Sequence, residues 1–181
     1  MQSTATTVAL SKRKLTYSLA GSLAFVSAGG WFISRPEDLR GNPFLSDPMW
    51  IRTLGGLAVL FFGGLAFFVF KKLRDPAPGL IVTDAGFSDN SSGLVAGQVP
   101  WADVTGIQEL ELMGQKMVMV MLRDPVAYIE RQTNPFKRQL MKTNFNSYGS
   151  PINISANALE CSYSELLALF TTRLAAHRAG N

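Results

Sequence analysis

The chain offers little with which to do covalent chemistry. Its 181 residues include one histidine, His177, and one cysteine, Cys161. A Ser–His–Asp triad would have to move its proton through that single imidazole, and His177 reads instead as a cation at a helix C-terminal end. One His and one Cys exclude a disulfide framework, and they leave too few nitrogen and sulfur ligands for a structural zinc site built within one chain. Cys161 precedes a predicted helix, where a thiol can be acidified, but no base accompanies it and it reads as a small packed hydrophobe. No glycine-rich phosphate loop of the Walker or dinucleotide type occurs. Gly55-Gly56 and Gly63-Gly64 fall inside an apolar run and cannot cradle phosphate. Asp84, Asp89, Asp103 and Asp124 are turn or cap residues, without calcium-loop spacing. No catalytic, cofactor-binding or metal-binding residue is therefore assigned, and a non-enzymatic protein is expected.

The strongest polar cluster is basic: Arg131, Lys137, Arg138 and Lys142, with Lys116 as a neighbour in the expected fold. Arg138 and Lys142 are four apart and share a helix face. The plain interpretation is a solvated face. The functional one is a surface for anionic lipid headgroups, each basic group contributing ~1 kcal/mol near such a membrane, or for a protein partner.

Elements that could position such a surface emerge from the charge distribution. The net charge is +4 and the mean hydropathy +0.14, but the two ends differ. Residues 1–74 carry nine basic and three acidic groups, whereas residues 75–181 carry eight and ten. The basic excess thus belongs to the N-terminal part. The C-terminal part is net negative, which speaks against nucleic-acid binding.

The same N-terminal part contains two charge-free apolar runs, 15–34 and 53–70. Eighteen helical residues span about 27 Å, close to the hydrocarbon thickness of a bilayer. The expectation is a transmembrane hairpin over 15–74, with spans at about 15–34 and 53–70, a loop at 35–52, and an N-terminal tail at 1–14. Trp31 and Trp50 sit at the run ends, as interfacial aromatics do. Lys12, Arg13, Lys14, Lys71, Lys72 and Arg74 flank the outer ends, against Arg35, Arg40 and Arg52 near the loop. This asymmetry predicts both termini in the cytoplasm. A competing interpretation of the first run is a cleaved signal peptide ending near Val26-Ser27-Ala28, although the run continues to Ser34. Ala20, Ala24 and Ala28 form a small-residue stripe on the first helix, and Gly56 and Gly63 lie seven apart on the second. Such faces let helices approach closely, within the hairpin or in a homo-oligomer.

Beyond a linker at 75–79, residues 80–181 read as one α+β domain. Strands are expected at 80–82, 94–99, 107–112, 117–122 and 152–154, the early ones joined by short turns into an antiparallel meander. Asp124-Pro125 and Asn134-Pro135 each pair an N-cap with a proline at the first helical position, predicting helices at roughly 125–132 and 135–143. Residues 146–151 are expected as a loop. Ser162 and Glu165 form a capping box for an amphipathic C-terminal helix with Tyr163, Leu166, Leu167, Phe170 and Leu174 on one face.

A meander closed by such a helix is the outline of a pleckstrin-homology-like barrel. The chain also resembles small bacterial inner-membrane proteins of unknown function that have two membrane spans and a cytoplasmic domain of this kind. The resemblance is carried by residues 80–87 (LIVTDAGF), 99–104 (VPWADV), Asp124-Pro125, Lys142-Thr143-Asn144, 149–154 (GSPINI) and the helix start at Ser162–Leu167. It implies an α+β protein anchored in the inner membrane, and it brings no activity with it. The expected function is a membrane-anchored binding or scaffold module contacting a protein partner or anionic lipid. The alternative class is an immunity-type membrane protein protecting against an interbacterial toxin; a toxin gene beside its own would favour it, and no residue singles it out.

Overall fold

The computed structural model describes residues 5–39, 47–92 and 97–180. It divides into two compact units, one formed by residues 12–75 and the other by residues 1–11 together with 76–181.

The first unit is a pair of antiparallel helices, α1 (Lys12–Ser34) and α2 (Pro48–Leu73), with a 3₁₀ turn at Pro36–Leu39. α2 starts earlier than its charge-free run and takes in Arg52. Asp47 caps it by accepting from the Met49 N–H, and Pro48 occupies the first turn, a combination that costs the helix no hydrogen bond. Among the described residues α2 is the one helix long and apolar enough to cross a membrane, and only 17% of its most apolar stretch is buried. α1 is less apolar because its charge-free run includes four serines, a threonine and three glycines. Ser22, Ser27 and Ser34 donate to the carbonyls of Ser18, Leu23 and Gly30 at 2.8–2.9 Å, so these hydroxyls are satisfied within the helix.

The small-residue face used for packing differs from the expected one. Ala20, Ala24 and Ala28 are exposed, and an added Cβ at Gly56 or Gly63 would meet nothing within 4 Å. The buried seam runs instead through Leu15, Ser22 and Gly29 on α1 and Ile51, Gly55, Ala66 and Val69 on α2. At its closest point a Cβ on Gly55 would sit 2.6 Å from the Gly29 carbonyl oxygen, and one on Gly29 would sit 2.8 Å from that of Gly55. Phe25 and Phe62 stack beside this crossing with ring centroids 4.2 Å apart. The four-residue alanine spacing was a real helical periodicity. Which of several small-residue rows meets the partner depends on helix rotation, which spacing does not encode.

Among the described residues the second unit has seven strands in two antiparallel sheets. The first contains β1 (Thr6–Val8), β2 (Leu80–Val82), β3 (Gly86–Asp89) and β4 (Gln98–Pro100), in that order. The second contains β5 (Val104–Leu112), β6 (Gln115–Leu122) and β7 (Ile152–Ser155). The single meander expected from sequence is broken at a 3₁₀ turn over Trp101–Asp103, just after Pro100, which has no N–H to continue a ladder. Of the strand expected at 94–99, residues 94–96 lie outside the described residues. β1 was not anticipated: Thr6, Thr7 and Val8 pair with Val82, Ile81 and Leu80. The expected N-terminal tail is thus a strand of the C-terminal domain. β5 and β6 are joined by Met113 and Gly114, both at positive φ, a two-residue hairpin turn in which Gly114 carries no steric cost.

Between β6 and β7 lie α3 (Pro125–Glu130) and α4 (Pro135–Tyr148). Asp124 accepts from the Ala127 N–H and Asn134 from the Lys137 N–H, as the two Pro-containing signals predict. α4 extends past the expected boundary to Tyr148 and ends on Gly149 in the left-handed conformation, so half of the expected 146–151 loop is helix. The C-terminal helix α5 (Tyr163–Ala179) starts at the Ser162–Glu165 capping box. Its Leu166, Phe170 and Leu174 are buried in a core with Phe87, Trp101, Val118, Val120, Ile154 and Leu159. Phe87, Trp101 and Phe170 meet with centroids 4.8–5.7 Å apart, and the Trp101 indole N–H donates to the Thr83 carbonyl at 2.9 Å, satisfying the one polar atom of a buried ring.

Candidate functional site

The four basic residues picked out in the sequence lie on two consecutive elements, Arg131 at the end of α3 and the other three on α4. α4 carries Lys137, Arg138 and Lys142 and no acid. Arg138 and Lys142 are exposed, whereas Lys137 is partly buried. Arg131 caps the C-terminal end of α3 and lines a small pocket of about 90 Å³ with Asp103, Arg123 and Asp124. Lys116 belongs to another neighbourhood: its ammonium is 3.8 Å from the Glu109 carboxylate and 5.8 Å from the Tyr163 ring centre. Loss of hydration, and then the Glu109 carboxylate, push the Tyr163 phenol up to about 12. Burial in the core, assisted by Asp89, likewise raises that of Tyr128, against the opposing pull of Arg131.

What the sequence concealed is the apolar content of the same region. Phe136 is 72% exposed and Leu140 39%, while Met141 is buried and Phe145 packs on the core. Phe136 and Leu140 are one helical turn apart and form a row on the solvent side of α4. Arg138 and Lys142 form a second row, with uncharged Gln139 and Thr143 on the arc between. The signal available beforehand was that α4 has four large apolar residues where its core-facing stripe needs only two; which pair turns inward depends on how the helix docks.

A second feature involves residues that sequence reasoning had dismissed. A cleft of about 440 Å³ is lined by Trp101, Val104, Thr105, Arg123, His177 and Arg178. β5 carries a register irregularity between Val104 and Gly106, leaving Thr105 outside the ladder, and its carbonyl accepts from Arg178 at 2.6 Å. Arg178 thus ties α5 to the bulge. The lining carries two arginines and His177 and no acid, and one of the two arginines is already engaged. Arg173 on α5 bridges Asp84 at 2.7 Å and the Thr6 hydroxyl at 2.8 Å. Asp89 accepts from the Ser91 N–H and from the Ser91 and Ser92 hydroxyls, as a turn residue does. Cys161 packs against the core. Among the described residues no group of His, Cys, Asp and Glu is arranged to hold a metal ion. Set against family models, curated proteins and solved structures, the chain matches none.

Proposed function

We propose that the protein is a non-enzymatic, membrane-anchored binding module of the bacterial inner membrane. In this reading α1 and α2 cross the bilayer as a hairpin, both termini are cytoplasmic, and a PH-like domain is held at the inner face, where it meets anionic lipid or a protein partner. The observation that carries the reading is the pairing of β1 with β2. β1 precedes both long helices and β2 follows them. Two hydrogen-bonded strands lie on one side of any bilayer, so the chain between them crosses an even number of times. α2 is apolar enough to cross, and α1 is then needed for the return despite its serines. Lys12, Arg13 and Lys14 before α1 and Lys71, Lys72 and Arg74 at the end of α2 favour the cytoplasmic side for both outer ends. The same pairing speaks against signal-peptide cleavage near Ala28, which would strip β1 from its sheet and expose the β2 edge. Two antiparallel meanders closed by α5 support the PH-like assignment.

Reporter fusions test the topology. A fluorescent protein fused after the last residue is expected to fluoresce, and alkaline phosphatase inserted after Gly41 is expected to be active. A dark C-terminal fusion that is active as a phosphatase would refute it.

A further inference from the structure

We propose that α4 is the surface through which the β domain contacts lipid, and that it does so as an interfacial helix: Phe136 and Leu140 enter the headgroup–acyl boundary of an anionic bilayer while Arg138 and Lys142 hold its phosphates. This rests on the anchored reading above and names the partner that the domain meets there.

Two independent observations converge on α4. The first is charge segregation. Residues 75–181 are net negative, yet half of their basic residues lie within 125–148, with Glu130 the single acid there. On α4 itself there are three cations and no acid. Residues selected only for solubility would mix the signs; a single-sign helix on an oppositely charged domain marks the face that meets an anionic surface. The second is apolar exposure. Among the described residues of this unit the exposed large apolar side chains are Met113, Val126, Phe136 and Leu140. Two of these, Phe136 and Leu140, are on α4, the helix that bears three cations and no acid. Phe136 and Leu140 contribute nothing to the core, so water-exposed burial does not explain them. An aromatic and a leucine one turn apart, with a row of long cationic side chains beyond Gln139 and Thr143 on the same helix, offer a membrane surface shallow apolar insertion and basic stems that reach to phosphate. A protein partner would equally take the apolar row, but it would not by itself call for a helix of three cations and no acid. Only residues 74–79 separate α2 from β2, at most about 20 Å of extended chain. The tether therefore supplies a high local lipid concentration, and two apolar side chains with two cations suffice where a soluble protein would need more.

The test uses the full chain in lipid nanodiscs. Phe136→Cys in a Cys161→Ser background carries an environment-sensitive fluorophore, and the discs contain a headgroup-depth nitroxide lipid as quencher. Thr171→Cys, on an exposed position of α5, gives the comparison label. With about 30% anionic lipid the label at position 136 is expected to shift blue and be quenched, while that at 171 stays aqueous. Raising salt to about 0.5 M, or introducing Arg138→Glu with Lys142→Glu, should reduce the docked population about fivefold or more per charge removed. Leu140→Ser should weaken quenching at 136 without changing the 171 label. Equal aqueous behaviour of both labels in every disc would overturn the proposal. So would shielding of position 136 that appears only when native membrane proteins are added, which would assign the face to a protein. Carbonate extraction of the same chains separates this from the anchoring: protein that stays in the membrane while position 136 stays aqueous loses the α4 surface and keeps the hairpin.

Discussion

In the helix pair the closest approach is made by two glycines, and the large side chains point away from the seam; in the β domain the centre is Trp101, Phe87 and Phe170, and the periphery is polar. All but four of the exposed large apolar residues belong to α1 and α2. On the membrane-anchored reading proposed above, the contrast reflects two solvents. In water, burying an aromatic ring removes roughly 150–250 Å² at about 25 cal/mol per Å², so large rings are drawn inward. In lipid that gain is absent, and association relies on close van der Waals contact between backbones, for which Gly29 and Gly55 are suited. α4 is the exception within the β domain, because it keeps a row of apolar side chains outside like α2 while remaining a polar helix overall.

This contrast can be broken most forcefully at its aromatic end. Trp101→Ala removes the ring that touches both Phe87 and Phe170 and the indole bond to Thr83. A loss of about 3–5 kcal/mol is expected, read as rapid proteolysis of the C-terminal domain from membranes with the helix pair still protected. Simultaneous loss of both units would mean that they do not pack independently. At the glycine end, Gly55→Leu drives a side chain into the Gly29 backbone. It should cost about 1–3 kcal/mol of helix association and abolish crosslinking of a Phe25→Cys, Phe62→Cys pair, while the β domain keeps its melting temperature. The smallest effect is expected where the chain before α1 is joined to the chain after α2. Arg173→Met loses its bonds to Asp84 and Thr6; since the Asp84 side chain is 58% exposed, about 0.5–1 kcal/mol is expected. Faster hydrogen exchange confined to β1 and β2 would locate that loss, and unchanged exchange there would show that strand pairing alone holds the N-terminal segment.

The local elements were legible because their signals are local. A cap followed by proline dictated the starts of α3 and α4, the capping box began α5, and the unbroken run at 117–122 became the buried strand β6. β1 was missed for an equally physical reason: three residues, Thr6 to Val8, form a strand only because β2 supplies a partner more than seventy residues away, and no property of a short polar-rich segment announces that. The functional surface was half legible. Charge count found Arg138 and Lys142 and grouped with them Arg131, which the fold places at the end of α3, and it overlooked Phe136 and Leu140.

By itself, then, the sequence determined the division into an apolar basic half and a near-neutral α+β half, the helix starts, and the want of residues for covalent or metal chemistry, since these depend on composition and on neighbours a few positions apart. Only the tertiary structure decided which small residues form the α1–α2 seam, that β1 pairs with β2, and that α4 turns one apolar pair inward and leaves another outside. Each of those depends on the rotation or pairing of elements distant in the chain, where the free-energy differences come from packing geometry that no local pattern records.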